Sequence, residues 1–156
     1  MTKNILQINP YRIALDEAYL QMAEIWAKRS KAVRLQVGAL IVKEGQIISD
    51  GYNGMPSGTP EEDEVCEYLD GTELRTKPEV LHGEANAFLK VACNGGTGTF
   101  GATLYVTHSP CTECAKLIKQ AKIARVVYRC HYRLPEGIKL LEKHGIECVQ
   151  LQKKDE

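Results

Sequence analysis

The spacing of apolar and polar positions changes period along the chain, and each change marks an element. Between residues 11 and 30, Leu15, Tyr19, Met22 and Trp26 recur at steps of four, three and four. That is one stripe of an amphipathic helix, and these side chains are expected in the core. The run "QVGALIVKEGQIISDGYNG" places two β-rich segments around Glu44-Gly45, which predicts a hairpin. Residues 55–79 are rich in Pro, Gly and acids and are expected to form a long irregular connection. From Leu81 a helical pattern runs to Asn94, where "NGG" stops it. Then "GATLYVTHS" reads as strand, "CTECAKLIKQAK" as helix and "IARVVYRC" as strand. "PEGIKLLEKHG" reads as a helix with Pro135 near its start and Gly145 past its end, and "IECVQL" as a last strand.

Strands that alternate with helices predict parallel pairing through right-handed crossovers, so the expected fold is an α/β layer structure opened by one antiparallel hairpin. The 156 residues fit one domain, 1–156. The segment "NGGTGTFG" lacks the Gly-Lys-Ser/Thr ending of a phosphate loop and precedes a strand, so it reads as a linker.

Charge narrows the function classes. Lys plus Arg equals Asp plus Glu at 20 each, so no global basic field favours a nucleic acid partner. The N-terminal residues carry no long apolar run, which predicts neither a signal peptide nor a membrane span and points to the cytoplasm, the host's cytoplasm for a phage-borne chain. The six cysteines are then expected as free thiols. Cys93, Cys130 and Cys148 lie in apolar stretches and are expected as buried side chains.

Cys111 and Cys114 alone have ligand spacing. They share a face in the first turn of a helix that follows strand 103–107, where the helix dipole favours thiolate. A lone C-x-x-C leaves redox chemistry and a structural zinc site both open. His82 also opens a helix after a connection from the sheet and can reach the same place. Three ligands are the number that catalytic zinc keeps, with one position left for water. Glu84, two residues on, is then free to serve as general acid and base. Together these residues form H-x-E…P-C-x-x-C, with Pro110 before Cys111, which is the signature of zinc deaminases. The run "KRSKAVR", residues 28–34, adds four cations in seven residues beside the first strand. It reads either as a phosphate clamp or as a basic helix C-terminus.

The stretches "RSKAVRLQVGALIVKEGQIISDGYNGMPSG", "HGEANAF" and "GATLYVTHSPCTECAKLIKQAKIARVVYR" resemble the deoxycytidylate (dCMP) deaminase family in its bacterial and phage forms, a likeness that covers most of residues 12–150. The resemblance implies a three-layer α/β/α cytidine deaminase-like fold with a five-stranded mixed sheet. It implies hydrolysis of dCMP to dUMP and ammonia, supplying dUMP for thymidylate synthesis. It makes His82, Cys111 and Cys114 ligands of one catalytic zinc per chain and Glu84 the proton shuttle. Asn53 would contact the sugar, Arg34, Ser30 and Arg29 would lie near the phosphate, Tyr132 would stand near the substrate, and backbone carbonyls near Ser109 and Pro110 would hold the exocyclic amine. Gly83 replaces a frequent alanine, a change expected to leave ligation intact. The family also implies a homo-oligomer, commonly a hexamer, with dCTP and magnesium activating and dTTP inhibiting. Two rival readings are a deaminase of tRNA adenosine or single-stranded nucleic acid, and a zinc or nucleotide-binding module without catalysis.

Overall fold

The computed structural model describes residues 9–153; the reading of the first eight residues lies outside them. Helix α1 (Leu15–Ala27) leads through a loop to strands β1 (Gly38–Lys43) and β2 (Gln46–Tyr52). Glu44 and Gly45 between these strands both take positive φ, 50° and 76°, as a two-residue primed turn requires. Residues 55–79 are more ordered than their composition implies. A 3-10 turn at Glu61–Asp63 precedes β3 (Glu67–Asp70) and β4 (Glu73–Thr76), which pair antiparallel as a separate two-stranded sheet. The signal was Gly71, first of the two turn residues between the paired Asp70 and Glu73 and at a φ of 64°, and the flanking acids obscured the strand pattern around it.

The remaining elements are α2 (Gly83–Asn94), β5 (Thr103–His108), α3 (Thr112–Gln120), β6 (Arg125–Cys130), α4 (Glu136–Lys143) and β7 (Glu147–Gln150). Each overlaps its sequence-predicted segment. The main sheet has the order β2-β1-β5-β6-β7, a mixed sheet of five strands. β5, β6 and β7 run parallel, while β1 is antiparallel to both β2 and β5, so the hairpin joins the parallel strands through a second antiparallel interface. Strand alternation sends Ile41, Leu104, Val106 and Val126 under α2, α3 and α4. It sends Leu40, Val42, Tyr105 and Val127 under α1, which makes three layers.

The buried face of α1 is not the stripe expected from large apolar residues. Leu15 and Met22 are 64% and 44% exposed, and the packed face is Leu20, Ala23 and Ala27. The cause is close approach: a Cβ on Gly38 would lie 2.0 Å from the Ala23 carbonyl oxygen. A helix seated that tightly on a strand selects small side chains at the contact, which a count of large apolar residues underweights. Ion pairs hold the same face. Arg129, 4% exposed, makes bidentate bonds of 2.8 and 2.7 Å to Glu17 and bonds of 3.0 and 2.7 Å to Glu24. Arg125 grips Asp16 at 2.9 and 2.7 Å, and the Tyr105 hydroxyl donates to the same carboxylate at 2.6 Å. These guanidinium groups hold Asp16 and Glu17 below the usual carboxylate range.

The three cysteines expected to be buried also depart from that expectation. Cys93 and Cys130 are exposed and Cys148 is half-buried. Cys93 lies in the last turn of α2 and Cys130 ends β6 at the rim of the sheet, so their apolar neighbours in sequence are not their neighbours in space.

Candidate active site

Both ligand-bearing segments are helix starts fixed by backbone contacts with the sheet. Leu81 pairs with Gly54 just past β2, with N–H to carbonyl bonds of 3.0 and 2.8 Å, and this sets where His82 emerges as the N-cap of α2. Gly51 lets that helix seat closely, because a Cβ there would lie 2.3 Å from the Gly83 carbonyl oxygen. The Ser49 hydroxyl donates to the Ala87 carbonyl at 2.6 Å and the Asn86 amide to the Tyr52 carbonyl at 2.8 Å, tying the first turns to β2. A Cβ on Gly83 itself would stand 3.1 Å from the Val37 carbonyl oxygen, so the glycine relieves a tight approach. Cys111 is the N-cap of α3, and a Cβ on Gly137 of α4 would lie only 1.9 Å from the Pro110 carbonyl oxygen. The segment that carries Cys111 is thus wedged between the sheet and α4.

The His82 side chain makes no capping bond and turns instead to the sulfurs. Its Nδ1 lies 3.2 Å from Cys114 Sγ and 3.5 Å from Cys111 Sγ, and all three ligand atoms fall within 4.8 Å of one another. Zinc bonds of about 2.1 Å to nitrogen and about 2.3 Å to sulfur give a tetrahedral N to S edge of about 3.5 Å, so the donor set fits zinc. Electrostatics agrees. Hydrogen bonding from Cys114, then from His82, pulls the Cys111 thiol down to about 4. The Cys114 thiol is driven up by its bond to Cys111, by burial and by the Glu84 carboxyl. His82 is raised, first by the Cys111 sulfur beside it. A cation between the two sulfurs would favour the thiolate on both.

Glu84 stands in the first turn of α2, 4% exposed and against Cys114. Burial pushes its pKa up, the change that lets a carboxyl hold and release a proton closer to neutrality.

The cluster opens into a cleft of about 1100 Å³. Of the residues expected near a substrate, Asn53, Arg34, Tyr132 and Ser109 line it, whereas Ser30, Arg29 and Pro110 do not. Ser30 is buried and donates to the Asn53 carbonyl at 2.7 Å, so it acts on the backbone of Asn53. Arg29 is exposed outside the cleft, and the Pro110 carbonyl packs on Gly137. The Asn53 amide accepts from Val37 N–H at 2.9 Å and donates to the Leu35 carbonyl at 2.8 Å, which leaves one N–H uncommitted. Ser109 Oγ accepts from Tyr132 N–H at 2.5 Å and so positions that aromatic residue.

The sequence reading missed several lining residues. Arg75 and Glu67 come from the β3–β4 hairpin, within residues expected to be irregular; His108 ends β5 and Arg133 follows β6. For Arg133 the signal was its place beside Tyr132, over whose ring it lies 5.9 Å from the centroid.

Comparisons with known proteins accord with this geometry. Residues 13–130 match the family model described as the cytidine and deoxycytidylate deaminase zinc-binding region. The chain is 37% identical to ComE operon protein 2 of Bacillus subtilis over 90% of its own length and 73% of that protein. It is 40% identical to the human deoxycytidylate deaminase over 72% of its length, spanning 62% of the human enzyme. The crystal structure of the dCMP deaminase from cyanophage S-TIM5 in complex with dCMP and dUMP superposes with a TM-score of 0.81 at 39% identity, covering 93% of this chain and 100% of that one.

Proposed function

This chain belongs to the cytidine and deoxycytidylate deaminase zinc-binding family, and from that premise we propose that it hydrolyses dCMP to dUMP and ammonia, supplying dUMP for thymidylate synthesis. One observation carries the reading: the His82 ring sits 3.2 and 3.5 Å from two cysteine sulfurs at the head of a cleft, with the buried Glu84 against one of them. Zinc held by His82, Cys111 and Cys114 supplies a Lewis acid that brings the pKa of water from about 16 to about 7. Glu84 takes the proton of the attacking water and delivers it to the ring nitrogen beside C4; as the new C4 hydroxyl becomes the carbonyl, Glu84 takes that proton and passes it to the amine, so that the C4–N bond breaks and ammonia leaves. Its burial suits this shuttle, since desolvation disfavours the carboxylate and raises the pKa toward neutrality, where the protonated and ionised forms lie closer in free energy.

The uncommitted N–H of Asn53 donates to the sugar. Arg34 and Arg133 line the cleft as cations for the 5′-phosphate, with Tyr132 beside the base. A charge-assisted bond to phosphate contributes about 1.5–3 kcal/mol, which favours nucleotide over nucleoside by one to a few orders of magnitude. The reading extends to a homo-oligomer of hexamer type that responds to dCTP with magnesium and to dTTP. Sedimentation with and without each nucleotide tests that part.

Ammonia release from dCMP, dCTP, cytidine, cytosine and an oligonucleotide, measured side by side, tests the substrate. The expected order puts dCMP first; a faster oligonucleotide or nucleobase would move the chain to another branch of the family. Glu84→Gln is expected to lower turnover by about 100-fold to 10,000-fold while zinc stays at wild-type content. Unchanged turnover would remove Glu84 from the mechanism, and no ammonia release from any of these substrates would make this a binding module.

A further inference from the structure

Glu67 is the first residue of β3 and 5% exposed. Burying a carboxylate costs several kcal/mol unless its oxygens find donors. One oxygen does: Oε1 accepts from the backbone N–H groups of Val33 at 2.9 Å and Arg34 at 3.1 Å. The other, Oε2, is buried with no partner. Nearby cations are engaged elsewhere, Arg34 on the Thr76 hydroxyl at 3.3 Å, Lys31 on Glu64 and Arg75 on Asp70 and Glu73. A buried acceptor left open in an otherwise well-bonded segment calls for a reason, and Glu67 lines the same cleft as the metal cluster and Asn53.

We infer that Glu67 is a substrate-recognition residue whose Oε2 accepts a hydrogen bond from the sugar hydroxyl of the nucleotide. The inference rests on the dCMP reading above. What fills an open carboxylate oxygen must be a donor. With the cytosine amine at the metal end, the phosphate and the ring carbonyl of dCMP can only accept, so the 3′-hydroxyl is the donor that remains. Asn53 supplies the complement. Its spare N–H donates to the hydroxyl oxygen while Glu67 takes the hydroxyl proton, and a group that both donates and accepts is thus distinguished from one that does neither. The same carboxylate holds the backbone of Arg34 through Oε1, so one side chain sets the sugar contact and steadies the loop at the phosphate end.

The test compares dCMP with 2′,3′-dideoxycytidine monophosphate, reading kcat and KM for each. Wild type is expected to prefer dCMP by at least about tenfold in kcat/KM, because a site built around a hydroxyl rejects its absence. In Glu67→Gln the two backbone donors keep the amide oxygen in place of Oε1, which puts an N–H where the free acceptor stood. That variant is expected to narrow the preference to within about threefold, to turn over the dideoxy nucleotide within about threefold of wild type, and to retain zinc. An unchanged preference, or a parallel fall on both substrates, would reduce Glu67 to a pin for the loop and overturn the inference. Should Glu67→Gln be recovered unfolded, Glu67→Asp gives the same readout, since it keeps the charge and draws the free oxygen back by one methylene. Absent ammonia release from dCMP refutes the substrate reading instead, and the hydroxyl comparison is then made with deoxycytidine and its 3′-deoxy analogue.

Discussion

The two faces of the main sheet are held by different means. On one, α1 is clasped by guanidinium groups, the buried Arg129 between Glu17 and Glu24 and the half-buried Arg125 on Asp16. On the other, α2 and α4 start where Gly51 and Gly137 let backbone touch backbone, and the residues beside those contacts are His82 and Cys111. Close backbone approach serves both faces, at Gly38 as at Gly51 and Gly137, and the guanidinium clasps act on the helix that carries no ligand. An ion pair tolerates a few tenths of an ångström of slack. A metal cluster with edges of 3.2 and 3.5 Å tolerates far less, and close-packed backbone supplies that stiffness.

Paired glycine substitutions probe the contrast most sharply. Gly38→Ala and Gly137→Ala each drive a Cβ into a carbonyl oxygen, at 2.0 and 1.9 Å, and each is expected to cost about 3 kcal/mol in denaturant unfolding. The folded fraction should differ. Gly38→Ala is expected to bind zinc as wild type does, whereas Gly137→Ala, which displaces the Cys111 segment, is expected to lose about tenfold or more in zinc affinity, read by chelator competition. Equal zinc affinity in the two variants would erase the distinction between the faces.

Arg129→Leu comes next, at about 3 kcal/mol, because two carboxylates lose a buried partner. Zinc content should not change. A smaller effect follows from acid. Asp16 and Glu17 have pKa values lowered by Arg125 and Arg129, so their stabilisation is fully present above the ordinary carboxylate range of about 4 and is lost as pH falls through the depressed values. Melting temperature should therefore drop on acidification below about pH 5, and less steeply in Arg125→Leu, where the shift on Asp16 has lost its largest cause. The smallest expected effect is Lys116→Ala. It breaks an exposed i,i+3 pair with Glu113 on α3 and should cost less than about 0.5 kcal/mol, since surface charge contributes little on the metal face.

What the chain's pattern disclosed and what it hid divide along similar lines. His82, Cys111, Cys114 and Glu84 were legible because each sits at a helix start, where local sequence decides the conformation and the residue types are rare in combination. The face of α1 was not, because Ala23 and Ala27 became core through Gly38, a partner outside the helix. The β3–β4 hairpin carried its Gly71-Thr72 turn in plain view, yet Glu73 and Arg75 gave its strands no apolar alternation, since the hairpin rims the cleft instead of packing on the sheet. Glu67 was hidden for a deeper reason: a buried acid amid acids looks like any solvated one until its neighbours are known. Cys93 and Cys130 erred the opposite way, apolar in sequence context and exposed in space.

The imidazole and the first sulfur stand 29 positions apart, with all of α2 and β5 between them. In a chain emerging from the ribosome, His82 therefore appears well before its partners, and the centre cannot close until β5 has taken its place against β1. Metal held in this geometry accordingly reports that the strands already lie in their final order.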